Sequence, residues 1–422
     1  MYNKTKLSNG VRVVTHRMSG MQSVAVGVFI KVGGRYESEE NKGISHYLEH
    51  LLFKGSKKYS CRKIKESIEG VGGSLNGFTS EELTCYLAKL PARHLNQGLD
   101  ILSDMVINPL LSKSDIDKER TVILEELKMY RDLPQSYVQE LLDELLWPEQ
   151  PLGSSIIGTV ESVNRINQEW ISGFQKDRYT PLNIVVSAAG NLEHDLFSGR
   201  VEKIFSHLKS RNLNTFFKAK DDKSRAKINI LDKNTEQTHL ALGFHGLKRD
   251  HPLKHALGLL NVVLGANMSS RLFNEVREKR GLAYEIGTQV KRFQDTGAFL
   301  VHAGMDSNKV AESINLILKE VYKIKEYPVT PDEFKRAKEF YLGQLLLALE
   351  DTMDHMLWVG ESVASLDKID SLSKIIEEVE AVKKQDILTV AAQIFNSQDL
   401  NLAAIGPLKD KESMIRGIVE KK

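Results

Sequence analysis

The sequence predicts an α+β fold of two homologous, α/β-sandwich-like halves, each a mainly antiparallel sheet covered by helices and related by internal duplication. Three observations carry that expectation. Short apolar runs alternate with longer stretches of helical periodicity, a charged segment interrupts the chain near its middle, and the order of patterns before that segment recurs after it. At 422 residues the chain also exceeds one ordinary core, which favours two to four packing units.

The elements follow in order. VRVVTH (11–16) and SVAVGVFI (23–30) read as strands, followed by helices near 43–54 and 61–71. Asn41 is available to cap the first of these helices and Gly55 follows its final turn. Strands are expected near 74–79 and 84–89, long helices at about 92–107 and 113–132, and further helices near 135–146 and 166–176. A strand at 183–189 then ends at Gly190.

Residues 211–227, with KAKDDKSRAK among them, are polar and charged and read as a linker between a catalytic half (1–210) and a metal-free half (228–422). Beyond the linker the pattern repeats. THLALGF (238–244) resembles the strand at 23–29, residues 251–264 the helix that follows, 296–304 a later strand, and TPDEFKRAKEF (330–340) resembles SKSDIDKERTV (112–122). This register sets HALGL (255–259) beside HYLEH (46–50) and Gly343 near Glu126. Only the first half keeps the candidate metal-binding side chains.

The composition, 41% hydrophobic and 27% charged, is that of a soluble globular protein. No run approaches the ~20 apolar residues that span a bilayer. Lys+Arg 58 against Asp+Glu 56 leaves a net charge of +2, too little to imply nucleic acid as a partner. MYNKTKLSNGVRVVTHR passes into strand-like alternation without a signal-peptide core or an Arg/Ser-rich presequence, so a cytoplasmic protein is expected. Cys61 and Cys85 lack CxxC spacing and are expected as two free thiols.

Residues three and four apart share a helix face, so His46, Glu49, His50 and Phe53 form one stripe while Ile44, Leu48 and Leu51 lie on another side. Two neutral imidazoles at i and i+4 can ligate one Zn²⁺, and Glu49, one turn from His46, can act as base toward a water at the ion. The bland alternative is a pair of packed histidines. The apolar opposite face argues against it, because paired histidines buried beside a carboxylate are most readily explained by a metal. A catalytic zinc site takes a third protein ligand. Glu119 and Glu126 stand seven residues apart on one face of the helix expected at 113–132, with Glu125 about 100° away, and either Glu119 or Glu126 can ligate.

HYLEH followed by LLFKGS, then GGSLNGFTSEELTCY, ERTVILEEL, PLGSSIIGT and YTPLNIVVSAAGN, resembles the pitrilysin/insulinase family of zinc peptidases with an inverted HxxEH motif. The closest branch is the short-subunit one that includes mitochondrial processing peptidase and its bacterial relatives, and the resemblance covers nearly all of the chain. It implies one Zn²⁺ per chain held by His46, His50 and Glu126, with Glu49 as general base and Glu119 holding a ligating histidine in orientation. SSRLFNEVREKRGLAYEIG resembles the family's Arg/Tyr segment, which implies that Arg277 and Tyr284 bind the substrate backbone and help stabilise the transition state. The strand around Asn76 and Gly77 resembles the family's edge strand, which adds an extended peptide to the sheet. Phe53 resembles the position that lines the pocket just past the scissile bond.

The expected activity is that of a zinc-dependent endopeptidase or oligopeptidase for extended or unfolded peptides. A homodimer closing as a chamber is the simplest arrangement, with Arg277 and Tyr284 acting within the chain or across the dimer. The alternatives are a presequence-processing subunit that needs a partner chain and a non-catalytic scaffold like the core proteins of respiratory complexes. Full retention of HYLEH argues against the scaffold. VVLGANMSSRLF stands where the non-catalytic processing subunit carries a glycine-rich loop.

Overall fold

The computed structural model describes residues 2–210 and 215–420, so part of the expected linker, residues 211–214, lies outside the described residues. Among the described residues eleven strands form two sheets. The first contains β1 (Tyr2–Lys6), β2 (Arg12–Arg17), β3 (Ser23–Ile30), β4 (Ser74–Thr79), β5 (Thr84–Pro91) and β6 (Ile184–Gly190), in the order β1-β2-β6-β3-β5-β4. The second contains β7 (Lys227–Asp232), β8 (Thr238–His245), β9 (Ala283–Arg292), β10 (Gly297–Met305) and β11 (Asn401–Gly406), in the order β7-β11-β8-β10-β9.

Both sheets are antiparallel except for one pair each, β2 with β6 and β7 with β11. Stripped of β1, the first sheet has the same sequence of pairings as the second, with β4 and β9 in the equivalent edge positions. The two halves are therefore mixed α+β units of matching topology, as the repeated pattern predicts.

Two compact units divide the described chain, and neither is continuous. One comprises Met1–Leu127, Ser154–Phe217 and Leu346–Ser371; the other comprises Lys128–Gly153, Lys218–Leu345 and Leu372–Lys422. One boundary, between Phe217 and Lys218, falls within the expected linker at 211–227, but residues 128–153 and 346–371 are each exchanged into the unit built mainly from the other half of the sequence. Helix periodicity shows which face of a helix is apolar, but not which sheet that face covers.

In the first unit, β3 explains the exchange. Its alternate residues Val24, Val26, Val28 and Ile30 join the main core, while Ala25 and Phe29 pack with Met356, Val359 and Val363 of helix Thr352–Leu366. Both faces are covered, so the strand reads as a continuous apolar run. Close approach requires glycine at Gly360, where a Cβ would stand 2.2 Å from the Phe29 ring. In the second unit, the counterpart is α5 (Pro134–Leu146), whose Leu142 and Leu146 pack with Ala241, Leu300 and Ala403.

On the other face of the first sheet lie α1 (Ile44–Leu52), α2 (Cys61–Glu69), α3 (Leu95–Ile107) and α4 (Lys113–Asp132). The cap expected at Asn41 is not there. Asn41 closes a 3₁₀ turn, Glu39–Asn41, by accepting from the Ser38 N–H at 2.7 Å. α1 starts after Gly43, whose φ of 88° is left-handed, and the buried Glu37 carboxylate accepts from the N–H groups of Gly43 and Ser45, each at 2.7 Å. A carboxylate upstream of the helix thus satisfies two of the orphan donors at its start. Cys61 and Cys85 are free thiols. No helix among the described residues is long and apolar enough to cross a membrane.

Candidate metal centre

α1 is held by its apolar side. Ile44, Tyr47, Leu48 and Leu51 are buried in the main core, with Ile116, Ile123 and Leu127 of α4 in the same cluster. The Tyr47 hydroxyl donates to the Ile116 carbonyl at 2.5 Å, tying the middle of α1 to the start of α4. With those faces fixed, helical spacing turns His46, Glu49 and His50 of α1 and Glu119 and Glu126 of α4 toward one another.

Nε2 of His46 lies 3.8 Å and Nε2 of His50 lies 3.4 Å from Oε2 of Glu126. The two rings are 4.6 Å apart between centroids, and the three residues offer ligand atoms all within 4.8 Å of one another. Donors around a tetrahedral zinc with bonds of about 2.1 Å sit about 3.4 Å from each other, so this set fits the ion. Among the described residues it is the one such cluster of three.

Glu119 occupies a different place. Its Oε2 lies 3.2 Å from His50 Nδ1 and its Oε1 lies 2.5 Å from Lys54 Nζ. A proton on Nδ1 facing Glu119 leaves the Nε2 lone pair directed to the side where Glu126 stands. Glu126 therefore faces Nε2 of both histidines and Glu119 faces Nδ1 of one.

The electrostatics match those positions. Burial lowers His46 to about 4, reinforced by His50, which keeps the ring in the neutral form that binds metals. Burial also opposes charge on His50, but Glu126, Glu119 and Glu49 overcome it and raise the ring. Glu126 is lowered, chiefly through its contact with His50. Glu49, only 8% exposed, is raised by burial despite the Thr79 hydroxyl, which donates to its Oε2 at 2.9 Å.

β4 lies beside this carboxylate. Among the described residues it pairs with β5 alone, which leaves it at the edge of the sheet. Asn76 on it is exposed and accepts from the Gly77 N–H at 2.8 Å. A Cβ on Gly77 would stand 3.0 Å from the Phe53 ring and 3.2 Å from Glu49 Oε1. Phe53 itself is half-buried against the core at the end of α1.

Arg277 and Tyr284 belong to the other unit. Arg277 sits on a π-helical turn, Phe273–Glu278, with its guanidinium 4.7 Å from the Phe273 ring and 5.8 Å from the Tyr284 ring. Tyr284 is 74% exposed and falls at a bulge, because Ala283 pairs with Met305 and Glu285 with Gly304. A bulge re-aims the side chain that it frees from the ladder. At the position equivalent to HYLEH, His255 is bonded to Glu378 at 2.9 Å, Gly258 is covered by Tyr341, and Leu259 is buried. That helix carries no metal-ligand set.

Lys54 and Thr79 were not singled out by sequence reasoning. Lys54 carried a readable signal, standing one helical turn after His50. Thr79 carried only a partial one, its place on the same strand face as Gly77.

Residues 12–160 match the family model described as "Insulinase (Peptidase family M16)", and residues 165–341 match "Peptidase M16 inactive domain". An uncharacterized zinc protease of Bacillus subtilis, YmxG, is 38% identical over 407 residues, covering 96% of this chain and 98% of the relative. One from Streptomyces coelicolor is 35% identical over 416 residues, covering 97% and 90%. Among solved structures, a protease from Helicobacter pylori superposes with a TM-score of 0.89 at 23% identity, covering 96% of this chain and 100% of the other. A Pseudomonas fluorescens structure described as a peptidase M16 inactive domain also gives 0.89, at 17% identity, covering 96% and 98%. Near-complete coverage at this level of identity makes the chain a member of the insulinase family, peptidase family M16.

Proposed function

We propose that the chain is a zinc-dependent endopeptidase or oligopeptidase acting on extended peptides. The observation that carries this reading is the convergence of His46 Nε2, His50 Nε2 and a Glu126 oxygen one helical turn from the buried carboxylate of Glu49. The relatives named as zinc proteases, matched over almost their whole length, support it.

His46, His50 and Glu126 would hold the ion, and Glu119, with Lys54 behind it, would keep His50 oriented. Zinc bound there supplies acidification of a water and polarisation of a peptide carbonyl. Glu49 would accept a proton from the attacking water on Oε1, the oxygen not engaged by Thr79, and return it to the departing amine. Burial raises its carboxyl, which makes it a stronger base than an exposed glutamate. β4 offers main-chain donors and acceptors to an extended peptide, and Phe53 offers an aromatic wall. Arg277 and Tyr284 supply donors for the substrate backbone and for the charge that develops on its carbonyl.

Glu49→Gln is the deciding variant. It is expected to keep stoichiometric zinc and to lose hydrolysis of a quenched peptide library, and retained hydrolysis overturns the mechanism. Sizing the chain in the same assay separates a self-sufficient homodimer from a subunit that needs a different partner.

A further inference from the structure

Thr79 is the last residue of β4 and shares a strand face with Gly77, the face that meets α1. Its hydroxyl makes the one side-chain hydrogen bond of the Glu49 carboxylate among the described residues. The backbone behind Thr79 is clamped. Ser80 donates to the Leu83 carbonyl through its N–H at 2.8 Å and its hydroxyl at 3.0 Å, closing the turn into β5.

The turn is also held from outside. The Gly34 N–H donates to the Ser80 carbonyl at 3.1 Å, the Arg35 N–H donates to the Glu81 carbonyl at 2.8 Å, and the fully buried Arg35 side chain reaches Glu82 Oε1 at 2.8 Å. Gly33 has no room for a side chain, since a Cβ would stand 2.0 Å from the Ser80 carbonyl oxygen. A buried ion pair carries a large desolvation cost and is weak evidence of net stabilisation. Here its geometric effect is to fix the end of the strand from which Thr79 reaches Glu49.

We propose that Thr79 is a positioning residue that sets the orientation of the Glu49 carboxylate from the edge strand β4, a proposal that rests on the reading of Glu49 as the base. Thr79 engages Oε2, so Oε1 is turned toward Gly77, whose missing side chain leaves the oxygen uncovered on that side. A peptide added to the outer edge of β4 pairs with the strand that orients the base. Substrate binding and base alignment therefore share one rigid element, and proton transfer is sensitive to small displacements of that element.

The test uses the zinc-loaded full chain. Thr79→Val removes the hydroxyl at nearly constant shape, Thr79→Ala does so with less bulk, and Thr79→Ser keeps it. Thr79→Val and Thr79→Ala are expected to lower kcat by about 10- to 100-fold, with KM and zinc content unchanged and Tm lowered by no more than the loss of one hydrogen bond, and Thr79→Ser is expected to recover most of the rate. An uncleaved peptide is expected to bind Glu49→Gln and Glu49→Gln/Thr79→Val equally tightly. Unchanged kcat per folded molecule in Thr79→Val and Thr79→Ala overturns the proposal, as does a loss that appears wholly in Tm or in peptide affinity. Activity in Glu49→Gln alone marks the separate failure of the functional reading.

Discussion

Glu119 Oε2 lies 3.2 Å from His50 Nδ1, and the other oxygen of the same carboxylate lies 2.5 Å from Lys54. The carboxylate is 5% exposed, so it depends on both contacts to stay in place. Removing such a partner from a ligating histidine typically weakens metal binding by about 10- to 100-fold. Glu119→Ala is expected to weaken zinc by that order in competition with a chelator, and Lys54→Met is expected to weaken it in the same direction by less. Unaltered zinc affinity in Glu119→Ala would remove the positioning role.

Glu125 and Glu126 are neighbours in sequence, yet only Glu126 joins the cluster with His46 and His50. Glu126→Gln is expected to lose zinc during dialysis that leaves the wild type loaded, whereas Glu125→Gln retains it. Metal content measured by mass spectrometry checks both, and the reverse pattern would assign the third ligand to Glu125.

Gly77 tests the space between β4 and α1. Alanine there puts a methyl 3.0 Å from Phe53 and 3.2 Å from Glu49 Oε1, contacts that a shift of the aromatic ring by a few tenths of an ångström accommodates. Gly77→Ala is expected to keep most of the activity. Valine adds two more carbons toward the same atoms, and Gly77→Val is expected to abolish turnover while leaving zinc bound. Full activity in the valine variant would show that this strand face is not confined against Glu49.

Tyr47 is fully buried, and its hydroxyl joins α1 to α4 through the Ile116 carbonyl. Tyr47→Phe removes one buried hydrogen bond at nearly constant packing, at a cost of about 1 kcal/mol. Urea unfolding is expected to show that loss together with a fall in zinc affinity. Loss of stability alone would mean that the two helices keep their alignment without the bond.

Burial raises the carboxyl of Glu37 from 4.5 to about 7, although the backbone N–H groups of Ser45 and Gly43 oppose the rise. The folded state therefore favours the protonated acid. The associated stability is present below the ordinary value and is lost as pH rises through the folded one. In metal-free protein, Glu37→Gln is expected to flatten the decline of Tm between roughly pH 5 and 7. Parallel Tm profiles for the two proteins would contradict this.

The helix beginning near 43 was legible because its apolar positions recur with the period of one helix, but its N-terminal cap was not. Asn41 has the right chemistry and bonds to Ser38 instead, while Glu37 reaches the first turn across a bend that local pattern does not show. The division of the chain shows the same limit. α5 and helix Thr352–Leu366 each have a readable apolar stripe, and each covers a sheet built mainly from the other half of the sequence.

The spacing within HYLEH was enough by itself to place His46, Glu49 and His50 on one face and to make them candidates for a metal site, because that geometry depends only on the rise and turn of one helix. The same holds for Glu119 and Glu126 as a pair on α4. Spacing left open which of the two faces the Nε2 atoms, a place the family resemblance implied for Glu126; that Lys54 answers Glu119 and that Thr79 bonds the candidate base came from tertiary structure alone. Those relationships depend on how separate elements pack against one another, and that packing is set by buried side chains distributed over the whole unit.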